Sequence, residues 1–152
     1  MIEPVRRQVV VETSQARAFE VFTAGIDRWW PREHHIGKSP LARSVLEAGV
    51  GGRWYSVCED GSACDVGKVL VWDPPRRLVL AWQITAQWQY DAAFVTEVEV
   101  LFTAEGPKRT RVELEHRNLE RFGQHADALR KSIGAATGWG RILDSFAASA
   151  AG

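Results

Sequence analysis

The segment from Phe94 to His116 constrains this chain more than any other. In AFVTEVEVLFTAEG, Phe94, Val98, Val100 and Phe102 share one face, with Glu97 and Glu99 on the other. In KRTRVELEH, Val112, Leu114 and His116 point one way, and Arg109, Arg111, Glu113 and Glu115 point the opposite way. Gly106-Pro107 lies between the two runs and supplies a turn. Period-two alternation with one apolar and one charged face marks an antiparallel pair that buries one side and wets the other. Glu/Arg pairs across the wet face add only modestly to stability. The apolar face must therefore be covered by another element of the chain.

The tail from about Gly123 to Ala150 has the composition to cover it. Leu129, Ile133, Ala136, Leu143 and Phe146 or Ala147 form an apolar stripe at helical spacing. The same stretch holds Gly134, Gly138 and Gly140. Each glycine inside a helix costs about 1 kcal/mol relative to alanine. Three of them imply close approach to the sheet, room for something beside the helix, or a helix that breaks near Gly138.

The remaining elements lie upstream. VRRQVVVET at 5–13 reads as a strand with Val9 and Val11 on one face. Ser14 stands where a helix N-cap belongs. QARAFEVFTAGIDRWW then carries Phe19, Phe22, Ile26 and Trp29 or Trp30 on one helical stripe; Gly25 divides it into two short helices and Pro31 ends the second. PREHHIGKSPL reads as loop, ARSVLEA as a short strand and Gly49–Gly52 as a turn. RWYSVCED and the run from Cys64 to Asp73 form a hairpin around Asp60-Gly61. After the break at Asp73-Pro74-Pro75, RRLVLAWQI places Leu78, Leu80, Trp82 and Ile84 together, and 85–92 reads as loop or strand edge.

The expected fold is α+β: a curved antiparallel sheet of about six or seven strands wrapped around one long C-terminal helix, with two short helices after strand 1. All 152 residues are read as one domain. Wrapping a curved sheet around a helix leaves space between them, which is the natural place for a ligand.

Charge and cysteine use narrow the function. Lys plus Arg equals Asp plus Glu at 19 each, so the basic excess of a nucleic-acid binder is missing. No apolar run approaches the roughly 20 residues that span a bilayer, and MIEPVRRQVVVET lacks the apolar core of a secretory signal. The reading is a cytoplasmic protein with no nucleic-acid or membrane partner. Cys58 and Cys64 flank the EDGSA turn, so a disulfide is geometrically open, while a reducing compartment favours two free thiols. Two cysteines without a second pair, and the adjacent His34 and His35, do not make a metal site. No G-x-S-x-G, phosphate loop or H-E-x-x-H occurs, so neither a cofactor nor a catalytic motif is expected.

A wider pattern is carried by residues in order along the chain. These are Val11-Glu12-Thr13 with Ala18, Phe19 and Phe22; Trp29-Trp30; Gly49 to Gly52 before Arg53-Trp54; Gly67-Lys68-Val69 through Asp73-Pro74-Pro75 and Leu78 to Trp82; Thr96-Glu97-Val98; Thr110 to His116; and Gly138-Trp139 with Leu143. The sequence resembles the START-like (SRPBCC, helix-grip, Bet v 1-like) superfamily, in the branch of the activator of Hsp90 ATPase. The resemblance spans nearly the whole chain and implies a deep cavity between sheet and C-terminal helix that takes apolar or aromatic small molecules. Superfamily members include lipid carriers, hormone receptors, polyketide cyclases and resistance proteins. The cochaperone of the same branch carries an additional N-terminal domain that this sequence does not show, so cochaperone activity is not carried over.

Seven tryptophans against one methionine is the odd entry in the composition. Trp29, Trp30, Trp82, Trp88, Tyr90 and Trp139 are expected near the mouth or lining of the cavity, with Phe94 and Phe102 on the cavity-facing side of their strand. Trp54 and Trp72 read as core filler. His116 is either a core histidine or a polar handle for a ligand. His34 and His35 are expected on an exposed loop beside the entrance, and His125 on the surface. Arg43 and Arg53 are free to point either way, and an inward one would be an anion anchor. The expected function is non-enzymatic binding of a hydrophobic or aromatic small molecule, and a homodimer through the sheet edge or wet face is compatible with it. The competing expectations are a cyclase- or hydrolase-type enzyme using His116, Tyr90 and Asp91, and a stress-response or chaperone-interacting protein.

Overall fold

The computed structural model describes residues 2–151. Seven strands form one antiparallel sheet: β1 (Val5–Val11), β2 (Leu41–Leu46), β3 (Arg53–Cys58), β4 (Ala63–Asp73), β5 (Arg77–Trp82), β6 (Thr96–Gly106) and β7 (Arg109–Arg117). Their spatial order is β1-β7-β6-β5-β4-β3-β2. The β6–β7 register sets Val98 opposite His116, Val100 opposite Leu114 and Phe102 opposite Val112. All six side chains are buried, so the alternation in the sequence and the inner face of the sheet coincide.

Irregularities in register curl the sheet. They fall between Leu41 and Arg43, Trp54 and Tyr55, Val69 and Val71, and Ala104 and Gly106. Each extra residue raises the local twist and bends its strand. Gly67 on β4 permits a close approach at one such bend, since a Cβ there would sit 1.6 Å from the Ala81 carbonyl oxygen.

Two short helices close one end, as the sequence predicts. Helix α1 (Gln15–Thr23) is capped by Ser14, whose hydroxyl accepts from the Arg17 amide at 3.3 Å. Helix α2 (Ile26–Trp29) follows Gly25. Phe22 of α1 packs on Trp29, Phe102 and Phe146 with ring centroids 5.1 to 5.8 Å apart.

The long C-terminal helix lies across the inner face as two segments, α3 (Ala126–Gly134) and α4 (Arg141–Ala150), after a 3₁₀ turn over Leu119–His125. Ala135 is extended, and Gly138 leaves helical geometry at φ −93° and ψ −119°. The glycines divide the roles their sequence left open. Gly134 lets α3 approach β1, where a Cβ would stand 3.1 Å from Val5 Cγ2. Gly138 makes the break, where a Cβ would stand 2.4 Å from the Ile133 carbonyl oxygen.

One expectation changes and two open alternatives are decided, the cysteines as the favoured pair of free thiols. Strand β6 begins at Thr96, so Phe94 belongs to the preceding turn and packs on Phe122 at 5.0 Å. Arg43 and Arg53 both lie exposed, and neither is an inward anchor. Arg53 instead pairs with Asp65 at 2.7 Å and stacks on the Tyr55 ring. Cys64 stands opposite Ser56 rather than Cys58, and both thiols are free. On the outer face Arg117 donates to Glu97, Glu99 and Glu115 at 2.9 to 3.3 Å. Partial burial alone would raise the Glu99 carboxyl, but hydrogen bonds from Arg77 and Arg117 outweigh it and hold the group below the usual range. No helix among the described residues is long and apolar enough to cross a membrane.

Candidate functional site

The tryptophans concentrate where the two short helices, the sheet and the break between α3 and α4 meet. Trp30, Trp54, Trp82 and Trp139 form a chain of edge-on contacts, with centroids 5.8 Å apart for Trp30–Trp54 and Trp54–Trp82, 5.9 Å for Trp82–Trp139 and 6.3 Å for Trp30–Trp139. Such T-shaped pairs set the positive ring edge on the negative ring face and add to the area each ring buries.

His116 anchors this cluster to the sheet. It is fully buried, with the Trp82 ring 5.2 Å and the Trp139 ring 6.0 Å from its own. The Trp139 indole N–H donates to His116 Nδ1 at 3.1 Å. An indole nitrogen can only donate, so Nδ1 is the bare acceptor and Nε2 carries the proton. Nε2 then donates to Thr96 Oγ1 at 2.8 Å, and Thr96 donates to the Trp82 carbonyl at 3.2 Å. Burial pushes the imidazolium pKa down to about 3, so His116 is neutral at physiological pH.

A pocket of about 560 Å³ opens beside this cluster. Trp30, Trp82 and Trp139 supply its aromatic walls, Val66, Ile84, Ile133 and Ile142 its aliphatic ones, and Trp88 stands at its rim, 46% exposed. The size lies in the range of small-molecule sites. Polar groups gather at the loop side: Glu33, His34 and His35 face Arg141, whose Nε donates to Glu33 at 3.2 Å. The backbone hydrogen bond at Glu33 itself and the Arg141 charge outweigh slight desolvation and keep that carboxyl below its usual range. His35 Nε2 donates to the Ser39 carbonyl at 3.0 Å, leaving Nδ1 without a partner among the described residues.

Of the nine residues singled out by the sequence, Trp30, Trp82, Trp88 and Trp139 line the pocket. Trp29 packs in the core between Phe22 and Phe146 and donates to the Val21 carbonyl at 2.8 Å. Phe102 packs against Phe19 and Phe22, and Phe94 against Phe122. Tyr90 is 39% exposed on the 84–90 bridge, and His116 sits behind the Trp139 ring rather than in the lining. His34 and His35 are half-buried lining residues rather than an exposed loop. Trp54 is core, and Trp72 packs edge-on against Phe19, away from the pocket. His116, Tyr90 and Asp91 do not converge, since Asp91 is exposed and accepts from the Ala93 amide. The sequence reading missed Thr137, Arg141 and Ile142 as lining residues, because their direction depends on the irregular turn at 135–138, and Glu33, which lies in the irregular loop between α2 and β2. Among the described residues no group of three or more His, Cys, Asp or Glu is placed to hold a metal ion. Among the described residues the large exposed hydrophobics are Val10 on β1, Val50 in the turn before β3, and Trp88 and Tyr90 together in the segment between β5 and β6.

The comparisons with known proteins agree with this architecture. The family described as activator of Hsp90 ATPase homolog 1-like protein matches residues 12–151. The anthrahydroquino-γ-pyrone synthase Txn09, solved in complex with the molecule designated SUM, is 39% identical, with 97% of this chain and 96% of that one covered and a TM-score of 0.69. The self-sacrificing resistance protein CalC from Micromonospora echinospora is 32% identical over 97% of this chain and 94% of that one, with a TM-score of 0.67. Protein NE0264 from Nitrosomonas europaea shares the fold at 12% identity, 97% and 94% coverage and a TM-score of 0.61. No curated protein matches the sequence.

Proposed function

This chain belongs to the activator of Hsp90 ATPase homolog 1-like family, and we propose that it binds a hydrophobic, aromatic small molecule between the sheet and the C-terminal helix. The observation that carries this reading is the pocket of about 560 Å³ walled by Trp30, Trp82 and Trp139. Ring faces and aliphatic side chains give up little hydration when a ligand covers them, and each Å² of apolar surface removed from water contributes about 25 cal/mol. The walls are also held in place before any ligand arrives, which lowers the entropic cost of binding.

A second reading is favoured by one observation, the 39% identity to a synthase. In it the same pocket folds a flexible substrate for ring closure, with acceleration coming mainly from orientation. A general base would then come from Glu33, His34 or His35 at the loop side, because His116 is sealed behind Trp139.

Titration with a panel of polycyclic aromatic compounds, followed by tryptophan fluorescence and native mass spectrometry, tests the binding reading. A saturable one-to-one complex is expected, and Ile142→Trp, which fills the pocket, is expected to abolish it. Absence of binding across the panel overturns the reading. Conversion of a bound compound to a product of altered mass or absorbance decides for the enzyme.

A further inference from the structure

The hydrogen bonds around the pocket divide its polar groups into spent and unspent ones. All three indole N–H donors of the walls are consumed inside the protein: Trp30 on the His34 carbonyl at 2.7 Å, Trp82 on the Ile84 carbonyl at 3.2 Å, and Trp139 on His116 Nδ1 at 3.1 Å. The walls therefore present ring faces without donors, and a polar substituent pushed against them would lose its water without replacement.

The loop side differs. Arg141 is the one Lys or Arg in the lining, and its side chain is 51% exposed. It spends only Nε, on Glu33, so its two Nη groups have no partner among the described residues. The Trp88 indole N–H also has no partner among the described residues, while one Glu33 carboxylate oxygen already accepts from Arg141. The cation on this side, next to the bare His35 Nδ1 acceptor, thus keeps two Nη groups with which to meet a planar anion through a two-pronged hydrogen bond.

Resting on the binding reading above, we propose that the ligand is an aromatic acid held end-on. Its ring system lies against Trp30, Trp82 and Trp139, and its carboxylate or phenolate stays at the mouth on the Nη groups of Arg141. Glu33 competes for the same guanidinium and tunes the preference.

Three probes with one ring system separate the possibilities: anthracene-2-carboxylate, its neutral carboxamide and the corresponding aminomethyl cation, each titrated by calorimetry. The carboxylate is expected to bind about tenfold more tightly than the carboxamide, the ratio of one partly exposed charged hydrogen bond, and the cation more weakly than both. The advantage is expected to shrink as salt rises. Arg141→Gln is expected to bring the carboxylate down to the carboxamide, Arg141→Lys to keep part of the difference, and Glu33→Gln to enlarge it. Equal binding of carboxylate and carboxamide, tighter binding of the cation, or an advantage that survives Arg141→Gln overturns the proposal while leaving aromatic binding intact. Failure of all three probes to bind overturns the binding reading along with it.

Discussion

Replacing His116 with glutamine reports on the buried network through the pH dependence of stability. The wild-type imidazole is inaccessible to water, bonded at both nitrogens and neutral, with its pKa pushed down to about 3. In the unfolded chain the same group returns to about 6.5. Between those values the unfolded state binds a proton that the folded state refuses, so stability falls as pH falls through the window. The loss is about 1.4 kcal/mol per pH unit, or about 2 kcal/mol near pH 5, against a typical total of about 5–15 kcal/mol. Glutamine keeps one acceptor for Trp139 and one donor for Thr96 but cannot titrate. His116→Gln is therefore expected to cost about 1–3 kcal/mol at neutral pH through imperfect geometry, and to regain much of that difference by about pH 4.5. Urea unfolding of both proteins over a pH series measures this directly, because every other titrating group cancels in the subtraction. The two curves should converge by about one proton's slope below pH 6.5. Parallel curves would refute the reasoning, since His116 would then titrate alike in both states or be open to water. The Trp139 indole proton gives an independent check by NMR, because its hydrogen bond predicts a downfield resonance that moves in the variant.

Other outcomes follow from the same geometry. Gly138→Ala is expected to destabilise by more than about 2 kcal/mol, because its Cβ would stand 2.4 Å from a backbone oxygen that cannot swing away; thermal melting checks it. Trp139→Phe leaves His116 Nδ1 buried without a donor and is expected to cost about 1–3 kcal/mol and to weaken aromatic binding, read by denaturation and titration in parallel. Arg117→Met removes the cation shared by Glu97, Glu99 and Glu115 and is expected to cost about 1 kcal/mol given its partial exposure. The Glu99 contribution is present above the ordinary carboxylate range and lost as pH falls through its depressed value, so the wild-type advantage should vanish in acid. Ser14→Ala is expected to cost about 1 kcal/mol by removing the N-cap of α1, measured by urea unfolding.

How much of the site was legible can be followed residue by residue. The β6–β7 alternation placed His116 on the inner face beside the C-terminal helix, and the structure finds it bonded to Trp139. Trp30 and Trp29 are adjacent and look equivalent in sequence, yet one faces the pocket and the other the Phe22–Phe146 core. At the end of a four-residue helix, a step of one residue decides between two environments, and helical periodicity alone does not choose. Phe94 kept the parity of its strand but lies before the strand starts, so parity did not govern it.

Period-two alternation, helical spacing and the Ser14 cap by themselves determined the α+β class, the antiparallel sheet, the capped first helix, and the requirement that the tail cover one apolar face. Those are local consequences of backbone geometry and of which side chains leave water. The direction of Arg141, the sealing of His116 and the division of the tryptophans into walls and filler were decided only in the tertiary structure. The first two depend on the turn at 135–138, where Gly138 must fit beneath the Ile133 carbonyl, and the third on the end of α2 and the strands that carry Trp54 and Trp72. That break redirects the side chains after it, and on either side of it Gly134 packs against Val5 of β1 and Trp139 against Trp30 and Trp82, contacts between residues far apart in sequence.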